Sequence, residues 1–159
     1  MPLIKVNVSD IGFSIENAIE LINVQSVRDF SSSCRVGILK HTPYLANCDY
    51  GWVLACIIST LATKDIKIIV KKSRNPFTKA VAWTYGEDIY FNSRKNHTQE
   101  SILKTICHEL VHIADSDDVY TFGHGVGRFA NFNQDEKKNC APMLFSRMFY
   151  DYLETNHGE

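Results

Sequence analysis

The chain has 159 residues, of which 45% are hydrophobic and 22% charged, and its formal net charge is −1. A chain of this length is most simply one domain over residues 1–159, able to bury about two-thirds of its unfolded surface. The near-neutral balance excludes a global pull toward nucleic acid or an anionic membrane.

A short apolar strand is predicted over residues 3–8, and a helix over 14–29 with Ile15, Ile19, Ile22 and Val27 on one face. The start lacks a charged region followed by a long apolar one, so no signal peptide is expected. Ser31, Ser32 and Ser33 mark a loop, and Pro43 argues against a long element within 36–47. Residues 50–63 read as a largely buried helix. Its apolar stretch, 52–62, is interrupted by Ser59 and Thr60 and is too short to span a bilayer, so no membrane partner is expected.

Three strands are predicted next, over 65–72, 80–85 and 88–92, the last two joined by a hairpin turn at Gly86 and Glu87. Lys67, Lys71, Lys72, Arg74 and Lys79 form a local basic group, read as a solvated strand-and-loop edge. A helix over 98–115, an acidic loop over 115–123 and two further helices near 125–133 and 142–153 complete the order. That order predicts an α+β fold, with a small mixed or antiparallel sheet packed on a site helix and further helices flanking it. Cys34, Cys48, Cys56, Cys107 and Cys140 are odd in number and contain no CxxC pair. Free thiols in the cytoplasm fit this better than a zinc ribbon or a disulfide framework.

The 98–115 helix holds the chemistry. Thr98 is a plausible N-cap and Glu100 lies in the first turn. Ile102, Ile106, Leu110 and Ile113 form an apolar stripe, widened by Leu103, Cys107 and Ala114. His108 and His112 fall on the opposite side, four residues apart, where both imidazoles reach one ion. The string His108-Glu109-Leu110-Val111-His112 therefore predicts a zinc site, with Glu109 placed to take a proton from a metal-bound water.

A catalytic zinc needs a third protein ligand. His124, flanked by Gly123 and Gly125, is the first choice, Asp118 the second and Asp115 the third, with Glu136 a more distant option. Asp115 is better read as a group that orients a ligand imidazole. The expected reaction is hydrolysis of a peptide bond in a protein or peptide substrate. Tyr120 is a candidate donor to the oxyanion, and Trp83 is a candidate contact for a substrate added to the edge strand at 80–85. The alternative is a non-catalytic or regulatory metal-binding module. Association with DNA is possible but not indicated by the net charge.

The hairpin strands, the HExxH helix and the later His124-Gly125 pair together resemble the SprT-like zincins, which include the Spartan-type proteases of DNA–protein crosslinks. The resemblance covers about the middle third of the chain. It implies a zincin-like fold, zinc as cofactor, metal ligation by His108, His112 and His124, and a general-base role for Glu109. It does not imply crosslink repair, since no zinc ribbon or DNA-binding tail follows.

Overall fold

A computed structural model describes residues 4–8, 18–33, 50–95, 97–115 and 141–157. Its elements run β1 (Ile4–Val8), α1 (Val24–Ser31), α2 (Tyr50–Thr63), β2 (Ile66–Lys71), β3 (Ala82–Tyr85), β4 (Asp88–Asn92), α3 (Gln99–Ala114) and α4 (Ala141–His157). The predicted helix over 125–133 lies outside the described residues.

The first helical region differs from its expected course. In place of one helix through 14–29, the helix at 18–21 stops and α1 begins afresh after Asn23. Asn23 is the reason. Its side chain accepts a hydrogen bond from the Ser26 N–H at 2.9 Å, and its own N–H donates to the Ser26 hydroxyl at 3.0 Å. This reciprocal cap satisfies backbone donors that a continuous helix would otherwise bond internally, so the chain restarts there.

The four strands form a mixed sheet in the order β1-β2-β4-β3. β1 and β2 pair in parallel, as do β2 and β4, whereas β3 and β4 form the antiparallel hairpin. Gly86 takes φ +63° in the two-residue turn between them. That left-handed conformation suits glycine at the first central position of a hairpin turn. Burial alternates along β2, with Ile66, Ile68 and Val70 inside and Lys67 and Lys71 exposed. Ile89 and Phe91 of β4 extend the same inner face.

Helix α3 packs most extensively on α4, then on α2, and touches the sheet at β3. The expectation of a site helix laid chiefly on a sheet is corrected accordingly. The phenylalanines of α4 also hold α1: Phe145 and Phe149 lie 5.1 Å apart, with Phe30 of α1 set edge-on to both. One core cluster joins the helices and the sheet. Among the described residues, no helix is long and apolar enough to cross a membrane.

Asn92, fully buried at the end of β4, fixes the approach to α3. Its side-chain oxygen accepts from Ser73 N–H at 3.3 Å and Arg94 N–H at 3.0 Å, and its amide donates to the Ala80 carbonyl at 3.0 Å. Its backbone carbonyl accepts from His97 Nε2 at 2.9 Å. Replacing Asn92 with Ala strands several of these partners. A loss of about 2 kcal/mol in urea-unfolding stability is expected, and an unchanged midpoint would contradict this role.

Candidate functional site

Helix α3 starts where the sequence places its cap. Thr98 accepts from Ser101 N–H at 3.1 Å and its own N–H donates to the Ser101 hydroxyl at 2.8 Å. Glu100 pairs with Lys104 at 2.8 Å across one turn. Buried residues occupy most of the helix circumference: Ile102, Leu103, Ile106, Cys107, Leu110, Val111 and Ile113, together with Glu109. A narrower arc stays partly open, and His108 and His112 lie on it, both half-buried. Cys107 is fully buried, which pushes its thiol well above the ordinary range and fits packing rather than ligation.

The two imidazoles converge. His108 Nε2 and His112 Nε2 are 3.3 Å apart, and their ring centroids are separated by 5.0 Å at a tilt of 56°. That separation fits an N–H···N contact between the rings. It also fits two nitrogens on one zinc: at ~2.05 Å each and a tetrahedral angle, they stand ~3.3 Å apart.

Glu109 departs from its expected setting beside an open cleft. It is 8% exposed and lies between Thr105 and Ile102 round the helix, at the margin of the buried arc. Burial pushes its carboxyl up from 4.5 to about 7. Asp115 ends the helix, its N–H donating to the Val111 and His112 carbonyls at 3.1 and 3.2 Å. Its side chain is buried and lies within electrostatic reach of Cys56 on α2, whose thiol is pushed up first by burial and then by this carboxylate.

Trp83 stands on β3 directly across from Tyr90, the two rings parallel within 5° and 5.5 Å apart. It is half-buried on the sheet face opposite the inner one. The expected third ligands His124, Asp118 and Glu136, and the expected oxyanion donor Tyr120, lie outside the described residues.

Residues 71–119 match the family model of the eCIS core domain, a component of contractile injection systems; the match covers less than a third of the chain. It begins at the end of β2 and takes in the hairpin and all of α3. No curated protein and no solved structure matches the chain.

These findings correct several expectations. The segment carrying the HExxH helix is similar to the eCIS core domain, so the SprT-like assignment and the zincin fold are withdrawn in favour of a mixed α+β arrangement. The zinc metallopeptidase reading falls with them, as does assignment as a hydrolase. Among the described residues, no group of three or more His, Cys, Asp or Glu side chains is placed to hold a metal ion. Of the expected donors, the described residues bring together the two imidazoles of α3.

Proposed function

We propose that this chain is a non-catalytic, metal-binding module of a contractile injection system, in which His108 and His112 supply two donors from one helix. The single observation that carries the metal part is the 3.3 Å convergence of the two Nε2 atoms. Neutral imidazoles suit zinc among the common divalent ions, and the donor chemistry fits on that ground. The injection-system part is supported by the similarity of residues 71–119 to the eCIS core domain.

His124 is the third donor we favour, with Asp118 next; either would tie the chain beyond α3 back to its histidines. Such a metal serves structure or regulation, since whatever binds only the folded form stabilises it. We place the protein in the cytoplasm, where thiols such as the buried Cys107 stay reduced.

Zinc titration of chelator-stripped protein, read by competition with a chromophoric chelator and by thermal melting, tests this reading. Wild type is expected to bind about one zinc and to gain roughly 6–12 °C in Tm at saturation. His108→Ala and His112→Ala are each expected to weaken binding at least ~100-fold. A wild type that zinc does not stabilise, or a His112→Ala variant that binds as tightly, overturns the metal site. Turnover of a protein substrate by the zinc-loaded chain overturns the non-catalytic part.

A further inference from the structure

The outer face of the hairpin holds a second feature, which uses no residue of α3 and stands independently of the metal reading. β3 is one of the two edge strands of the sheet among the described residues. Trp83 and Tyr90 lie side by side on the face turned away from the core, and the Lys71 ammonium sits 6.0 Å from the Tyr90 ring centroid. With Lys72, Arg74 and Tyr85 they line an open groove of 710 Å³, and no carboxylate is among its described lining residues. A chain of net charge −1 thus gathers three cations and three aromatic rings in one place.

The groove is built rather than incidental. Asn92 ties both ends of the loop over residues 72–81 to the sheet, and Arg94 Nε donates to the Ser73 carbonyl at 3.0 Å. This anchored loop nevertheless holds Phe77 89% exposed, and Tyr85 beside the turn is 79% exposed. Large aromatic side chains held open to solvent on a fixed frame indicate a surface meant to be covered.

We propose that this face binds single-stranded nucleic acid. Clustered cations without a carboxylate complement a phosphate backbone, and ring faces on a sheet accept unpaired bases by stacking. An acidic peptide would satisfy the cations but leave the rings unused. A duplex hides its base faces and would use only the charges.

The test is fluorescence anisotropy of the full chain with a labelled oligothymidylate of about 15 nucleotides. Saturable binding is expected at about 50 mM salt, weakening steeply by about 200 mM. Trp83→Ala is expected to weaken it about tenfold or more, whereas Trp83→Phe keeps most of it and so separates ring loss from misfolding. Combining Lys71→Gln, Lys72→Gln and Arg74→Gln is expected to lower the slope of log affinity against log salt by about 2. No saturable binding at the lower salt, or full binding by Trp83→Ala, overturns the proposal. Equal competition by a polyglutamate peptide of matched charge overturns it in favour of an acidic protein partner.

Discussion

Phe30→Ala is expected to destabilise the protein by about 3–5 kcal/mol, the usual range for emptying a fully buried phenylalanine site. Phe30 is fully buried and joins α1 to α4, with its ring centroid 6.2 Å from Phe145, 5.4 Å from Phe149 and 5.5 Å from Tyr152. Truncation removes the edge-on contacts to both phenylalanines, as well as apolar area, and the stacked pair on α4 cannot close the gap without losing its own geometry. Domains of this kind have about 5–15 kcal/mol in total, so the variant should melt roughly 10 °C lower. Urea unfolding should show a lower midpoint at unchanged slope. A loss under about 1 kcal/mol would mean that α1 does not rest on α4 as described.

Glu109→Gln is expected to do the opposite at neutral to alkaline pH, and its sign changes little with detail. In the metal-free fold, burial raises the Glu109 carboxyl from 4.5 to about 7. The folded state therefore keeps this proton where the unfolded chain has already released it. Stability from the protonated group is complete below 4.5 and is lost as pH rises through about 7. At ~1.4 kcal/mol for each pH unit, the loss approaches about 3 kcal/mol by mildly alkaline pH. Glutamine does not ionise, so the variant should gain on wild type steadily from pH 5 to 8 and match it more closely below. Parallel stability–pH profiles for the two proteins, measured with chelator present, would rule out a buried, proton-holding Glu109.

The helix boundaries show how far local chemistry reaches. The 50–63 helix and the 88–92 strand stand where the residue pattern puts them, and α3 starts at its Thr98 cap. In each case the deciding interaction lies within a few residues: a cap, an apolar period or a glycine turn. The hairpin register was legible too, since a two-residue turn at Gly86 and Glu87 sets Trp83 opposite Tyr90. Its consequence was not. The basic group is exposed as its pattern predicts, but only the folded hairpin puts Lys71, Trp83 and Tyr90 on one open face with the anchored loop over 72–81. Asn23 shows the converse failure, where the apolar period ran through a residue whose side chain ends one helix and starts another.

For α3, the sequence by itself determined the helix, its cap and the placing of His108 and His112 together on one side, because the helical repeat fixes those directions. Only tertiary structure decided how much of that helix is covered. Packing by α4, α2 and β3 leaves a narrow open arc for the histidines and encloses Glu109 at its margin. Burial depends on neighbours distant in sequence, and the ionisation of a carboxyl depends on burial. The string His108 to His112 specified two converging imidazoles, while the fold around it set the state of the glutamate between them.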